Sequence, residues 1–258
     1  MGASGAAVIE TISPPIPFVI VTSQRTGSTL LVRSLDASPS VYCAGELFHR
    51  GPAIHHPEFQ YPYKLLGSRR LGDLRNLIRS TYGYRNHLKM FYRQAGIGSA
   101  AVGFKIMVSQ IQRLPGILAF LKEQGVTRFY LYRKDSFAVA LSYYKARVSG
   151  SFHASQGDRQ QIHRSVTADE EQFRRLLGTC RHDGNVVCDL QRVYGGHLLM
   201  YEDMIANWDG VIELIGRDLG IRGLRAEKAL ARVGQESGSV SIANERELRL
   251  KFAVPDSM

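Results

Sequence analysis

Four stretches of the 258-residue chain carry residue types that can hold an oxyanion or move a proton. In Ser23-Gln24-Arg25-Thr26-Gly27-Ser28-Thr29 one cation precedes a glycine and two hydroxyl residues follow it. Gly27 lets the backbone turn without a Cβ clash. The free amides of Thr26 to Thr29, at a helix start, converge where the helix dipole is positive, and an oxyanion fits there. In the second stretch Arg133 ends an apolar run, and Ser142 follows nine residues on. An Arg fork matches phosphate oxygens, and a hydroxyl early in the next helix can close on the same dianion. Glu46 is the single acidic residue between Ser38 and His49, beside Leu47 and Phe48. These neighbours are expected to desolvate the carboxyl and raise its proton affinity, as suits a general base. Lys105 is the one cation in the apolar run Ala101 to Met107, where leaving it unpaired would be costly. His49, His55 and His56 are rivals for proton transfer, because neutral imidazole accepts a proton near neutral pH.

Such residues need strands that end, and helices that start, at one place. Phe18 to Val21 is too short for a helix and rich in β-branched residues, so it reads as a strand covered on both faces. Leu30, Leu31, Ser34 and Leu35 then recur at helical spacing. Arg128 to Tyr132 alternates as a further strand. Phe137, Leu141, Tyr144 and Val148 mark one face of the next helix, capped by Asp135 or Ser136. Strands alternate with helices and no internal repeat is visible, which predicts an α/β fold with a central parallel sheet flanked by helices.

The first loop departs from the nucleoside-triphosphate motif G-x-x-x-x-G-K-[ST], which needs Gly at Thr22 and Lys at Ser28. It resembles the 5′-phosphosulfate loop of sulfotransferases that use 3′-phosphoadenosine 5′-phosphosulfate (PAPS). It is especially similar to the bacterial carbohydrate-acting branch, with its trehalose and nodulation-factor enzymes. The resemblance runs in motif order from about Phe18 to Leu219 and implies a P-loop-like three-layer fold. Arg25, Thr26, Gly27, Ser28 and Thr29 then match the 5′-phosphosulfate loop, and Arg133 and Ser142 match the pair that holds the 3′-phosphate. Their spacing is one longer than the commonest eukaryotic cytosolic form but resembles the bacterial branch. Gly45-Glu46 is similar to the region of the trehalose enzyme, and to the acidic loop of heparan sulfate glucosaminyl 3-O-sulfotransferases, whose Glu is the base. Lys105 aligns by order with a G-x-K-x-M strand. The catalytic His of the cytosolic enzymes would fall at Met107 and is absent. What the resemblance implies is in-line sulfuryl transfer to a hydroxyl without metal. Glu46 would be the base, with Arg25 and Lys105 meeting the charge on the bridging oxygen. A saccharide or glycolipid acceptor is favoured, with a lipid, small natural product or polyketide alcohol left open.

The net charge of +10, from 33 basic and 23 acidic residues, fits anionic ligands. The basic residues are dispersed and no nucleic-acid module is recognisable, so no nucleic-acid partner is expected. Cys43, Cys180 and Cys188 have neither metal nor redox spacing, which fits a reducing cytoplasm. No run approaches the roughly twenty apolar residues of a membrane span. Residues 1–17 read as an arm and 18–258 as a single domain, and a homodimer is left open.

Other expectations concern the remaining elements. Leu71 to Tyr92 reads as a helix with Arg69, Arg70, Arg75, Arg79, Arg85 and Lys89 on exposed faces. Leu114, Ile117, Leu118 and Leu121 mark another helix. Gly150 to Arg164 reads as a flap over the acceptor or a plain surface loop. Past Phe173, Leu176, Leu177 and Cys180, local propensity breaks a helix at Asp183-Gly184, whereas the resemblance continues it. His197 to Asp203 reads as a strand whose acidic end, Glu202 or Asp203, caps the helix with core face Trp208, Val211, Ile212, Ile215 and Leu219. The tail from Gln235 to Phe252, with Ser239, Asn244 and Arg246, is expected to fold back over the nucleotide. Two other classes compete: a P-loop-type nucleotide kinase, which lacks its Lys and magnesium carboxylate, and a non-catalytic basic anion-binding protein, which leaves Glu46 unexplained.

Overall fold

The structure is a computed structural model. It describes residues 14–51, 56–62, 74–150, 164–229 and 240–252, with backbone alone over 74–82. The chain runs from β1 (Ile16–Thr22) through α1 (Ser28–Asp36) and β2 (Val41–Glu46) to a 3₁₀ turn at Pro57–Phe59, then α2 (Leu74–Gln94) and β3 (Ala101–Met107). Next come α3 (Val108–Ile111), α4 (Ile117–Glu123), β4 (Thr127–Tyr132), α5 (Ser136–Ser149) and β5 (Arg164–Val166). After these lie α6 (Glu170–Tyr194), β6 (His197–Met200), α7 (Tyr201–Ala206), α8 (Trp208–Asp218), β7 (Val240–Ile242) and α9 (Glu245–Phe252). β1 takes in Ile16 and Pro17, which the sequence alone assigns to the arm.

Five strands form one sheet in the order β2-β3-β1-β4-β6, every pair parallel. All five carboxyl ends therefore meet at one edge. The order reverses around β1, and such a reversal opens a crevice there for a ligand. Successive side chains of β1 point to opposite faces. Phe18 and Ile20 pack with Leu31 and Leu35 of α1 and Ile212 and Ile215 of α8. Val19 and Val21 pack with Phe104, Ile106, and Leu88 and Phe91 of α2. Each such side chain contributes about 1.5–3 kcal/mol on burial. This is the expected α/β, P-loop-like architecture, with the sheet between two helical layers.

A third cluster joins α5 to α6 and the tail, through Phe137, Leu141, Tyr144, Phe173, Leu177, Ile242 and Leu248. Asp135 caps α5, its carboxylate accepting from Ala138 N at 2.8 Å. α6 continues unbroken through Asp183-Gly184. Packing overrides propensity there, because a Cβ at Gly184 would stand 2.9 Å from the Tyr132 ring. Three expectations need correction. Asn207 caps α8, accepting from Gly210 N at 3.1 Å, while Glu202 instead accepts from the amides of Lys134 and Asp135 at 3.1 and 3.4 Å. Arg85 is half-buried, its guanidinium 5.3 Å from the Phe120 ring, rather than solvated. Leu114 precedes α4 rather than joining it. In the tail, Asn244 exchanges two hydrogen bonds with the backbone of Ala168, and β7 pairs with β5, which holds the described tail against α5 and α6. Arg69 and Arg70, the flap residues 151–163 and Ser239 lie outside the described residues.

Candidate active site

The loop between β1 and α1 begins at Thr22, whose hydroxyl donates to Leu131 O of β4 at 3.0 Å and lies 2.6 Å from the Thr26 hydroxyl. Thr26 is 1% exposed, so its side chain fastens the loop and leaves only its amide for a ligand. Arg25 adopts φ 61°, a left-handed conformation that costs an Arg free energy and that occurs most at ligand clamps. Gly27, at φ 80°, has a second reason to be glycine: a Cβ there would stand 2.7 Å from the Tyr201 ring. Ser28 and Thr29 open α1 and line the cleft that the loop borders.

Arg25 Nε donates to Ser142 Oγ of α5 at 3.0 Å, and Arg133 Nη1 donates to Arg25 O at 3.4 Å. The three residues thus meet, although Ser142 contacts Arg25 rather than Arg133. Arg133 lies over the Tyr201 ring at 4.3 Å, while its buried Nε has no partner among the described residues. Burial, then repulsion from Arg133, lowers Arg25 below the usual guanidinium value. Two guanidinium groups held this close, one with an idle donor, are matched by an anion. Tyr201, which the sequence reading leaves purely structural, is part of the site. Its place at the end of β6, a strand neighbouring β4, is visible only once the sheet order is known.

At the other end of the sheet edge, Lys105 Nζ stands 3.0 Å from Glu46 Oε1, the side chains 6% and 18% exposed. Lys105 is therefore buried and paired, not extended to solvent. The pairing depends on a register shift between Cys43 and Glu46, at which Gly45 has φ 60°. Cys43 pairs with Gly103 and Glu46 with Lys105, three residues on β2 against two on β3. Without the extra residue, the period-two alternation would send Glu46 to the face of Ala44. Gln110 completes the group: its Oε1 accepts from Met107 N at 3.1 Å and its Nε2 donates to Glu46 Oε2 at 2.7 Å. His49 Nδ1 lies 3.8 Å from the same oxygen.

Burial alone pushes the Glu46 carboxyl up, but Lys105, His49 and Gln110 together act against it and hold the carboxyl below its usual range. This reverses the expected raised proton affinity. The reason is geometric, since Leu47 and Phe48 turn into the core while the carboxylate turns toward cations and donors. Of the rival histidines, His49 lines the cleft. His56 is bound to Asp36 at 3.1 Å, and His55 lies outside the described residues.

A cleft of about 590 Å³ joins the two ends, lined by the loop, Glu46, Lys105, Arg133, Ser142 and Tyr201, with Gln110, Arg50 and Arg113. Glu46 is its one carboxylate among the described residues. No cluster of three or more His, Cys, Asp or Glu with metal-binding geometry occurs among the described residues. No described helix is long and apolar enough to cross a membrane.

Fold and cleft together define an α/β protein with a cation-rich cleft at the carboxyl edge of its sheet. The chain belongs to the Stf0 sulphotransferase family, whose model matches residues 17–175, from β1 into α6. That makes it a sulfotransferase by family. The fold agrees with the sulfotransferase from Alicyclobacillus acidocaldarius, at 17% identity and a TM-score of 0.50 over 92% of this chain and 91% of that one. Two further structures share less of the geometry. They are the sulfotransferase domain of the Synechococcus PCC 7002 olefin synthase (17% identity, TM-score 0.42, 80% and 74% covered) and that of the curacin biosynthetic pathway (16%, 0.47, 95% and 94%). No curated protein matches the sequence significantly.

Proposed function

We propose that the chain transfers the sulfuryl group of PAPS in line to an acceptor hydroxyl, on a saccharide or glycolipid, with Glu46 as general base. The observation that carries this reading is the convergence of Arg25, Ser142 and Arg133, with its idle Nε, at one end of a cleft whose other end holds the Glu46–Lys105 pair. These residues fit the donor. Arg133 and Ser142 would hold its 3′-phosphate, and Arg25 with the amides of Thr26 to Thr29 its 5′-phosphosulfate. Bound there, the donor supplies an activated sulfuryl group and a phosphate leaving group.

The side chains divide the remaining work. Glu46 takes the acceptor's hydroxyl proton, and Arg25 and Lys105 meet the negative charge left on the bridging oxygen. Lys105 is shared between both tasks. An anion entering the cleft draws on Lys105 and loosens its hold on Glu46, so the carboxylate gains proton affinity when the donor is in place. Residues 18–258 act as one catalytic domain, without a metal or nucleic acid, in the cytoplasm.

Calorimetry tests the reading. Adenosine 3′,5′-bisphosphate (PAP) is expected to bind and ATP to bind weakly; ATP binding without PAP binding would replace it with the kinase class.

A further inference from the structure

Tyr201 links the Gly27 loop to the Arg133 strand end. In the β4–β6 ladder the last register pair is Tyr132 with Met200, so Arg133 and Tyr201 stand side by side just past it. Neighbouring strands lie about 4.8 Å apart, which puts β6, two places from β1, about 10 Å away from it. The Tyr201 side chain crosses that gap. A Cβ on Gly27 would fall 2.7 Å from its Cδ2 and Cε2, and the Arg133 guanidinium lies 4.3 Å from the centre of its ring. The next residue holds the backbone of the same strand end: Glu202 Oε1 accepts from Lys134 N at 3.1 Å and Asp135 N at 3.4 Å, the two amides that follow Arg133. Met204, buried with Leu31 and Ile212, anchors α7 in the core. Arg133 also donates through Nη1 to Arg25 O at 3.4 Å, yet its buried Nε has no partner among the described residues. A guanidinium fixed this firmly, with one donor idle, is set in advance for a ligand.

We infer that Tyr201 is a positioning residue that makes the cleft select a doubly phosphorylated nucleotide. Its ring sets the distance between the Gly27 loop and the Arg133 guanidinium, and with it the span between the two places that the donor reading, on which this inference rests, assigns to the 5′ and 3′ groups. A free Arg side chain loses rotamer freedom when it meets a phosphate. Stacked on an aromatic face, it has lost that freedom beforehand, and the edge of its fork stays open to oxygens. A leucine at position 201 offers neither the π face nor the reach to Gly27. The loop would still take one phosphate through its amides, so a nucleotide with a 5′-phosphate alone would lose nothing.

Calorimetry on the full chain, with PAP and with adenosine 5′-phosphate (AMP), tests this. PAP is expected to bind the unaltered protein more tightly than AMP. Tyr201→Leu should shrink that preference roughly ten-fold, weakening PAP and leaving AMP unchanged, whereas Tyr201→Phe, which keeps the ring, should retain it. Where thermal midpoints show that Tyr201→Leu does not fold, Tyr201→Met keeps length and bulk without the π face and gives the same comparison. In an Arg133→Ala background the change at Tyr201 should cost no further PAP affinity, since its effect runs through the guanidinium. No preference for PAP in the unaltered protein, equal weakening of PAP and AMP, a preference intact in the ringless variant or lost in Tyr201→Phe, or a further loss in the Arg133→Ala background each overturn the inference. Failure of PAP to bind the unaltered protein at all overturns the donor reading instead, which separates the two.

Discussion

Glu46 and Lys105 form a 3.0 Å ion pair across two parallel strands because β2 carries one extra residue before Glu46. The slip at Gly45 turns the carboxylate to the cleft face. A buried Lys and a partly buried Glu joined this way are costly to separate, since either one alone leaves a charge in apolar surroundings.

Replacing Glu46 with Gln keeps an acceptor oxygen for Lys105 but sets an NH2 against the Gln110 donor, and it removes the base. Transfer is expected to fall by about 10²–10⁴-fold with PAP affinity retained, measured by labelled-donor assay and calorimetry. Unchanged transfer would remove Glu46 from its role.

Gln110→Leu deletes a donor to the carboxylate. Since that donor helps hold Glu46 below its usual range, its loss raises the Glu46 pKa, and the acid limb of the kcat/KM profile moves to higher pH. The same shift governs stability. A carboxyl depressed from 4.5 on folding contributes stability above that pH and loses it as pH falls through the folded value. The variant should therefore lose less stability on acidification than the unaltered chain, as read by denaturant midpoints across that range; an unmoved profile would make Gln110 a packing residue only.

Arg133→Ala should weaken PAP binding by about 1.5–3 kcal/mol, the usual loss of a charge-assisted contact, with the fold intact. Calorimetry on the pure protein reads this directly, and unaltered affinity would move the 3′-phosphate site away from Arg133.

Gly45→Ala forces an alanine into φ 60°, at a cost of about 1–2 kcal/mol, or straightens the strand and turns Glu46 away from Lys105. Transfer should fall further than the drop in thermal midpoint explains. Full transfer in a destabilised but folded variant would show that the register holds without glycine.

Thr26→Val tests the inward hydroxyl. Stability should drop by about 0.5–1.5 kcal/mol while PAP affinity is kept, because the ligand meets the amide and not the side chain. A loss of affinity with stability unchanged would instead make the hydroxyl a ligand contact.

Much of the site was legible in the chain. The anion loop, the Arg133 strand end and Lys105 each rest on a strand that ends, a glycine that turns or an apolar run with one cation. Tyr201 and Gln110 were not legible as site residues, because nothing near either one in sequence indicates a ligand. The Asn207 cap was missed in favour of acidic residues a few positions earlier, and Arg85 was read as solvated because a helix pattern does not show that Phe120 lies beside it.

The sequence by itself determined the alternating α/β pattern, the two-faced burial of β1 and the phosphate-sized loop at Gly27, because turn geometry and burial period act over only a few neighbouring residues. Only the tertiary structure decided which of these pieces meet. Arg25 reaches Ser142 across 117 residues, and Gln110 reaches Glu46 across 64. The sheet order brings those strand ends together, and the one-residue slip at Gly45 chooses the face that Glu46 shows. Both depend on packing summed over the whole core, which no short stretch of sequence records.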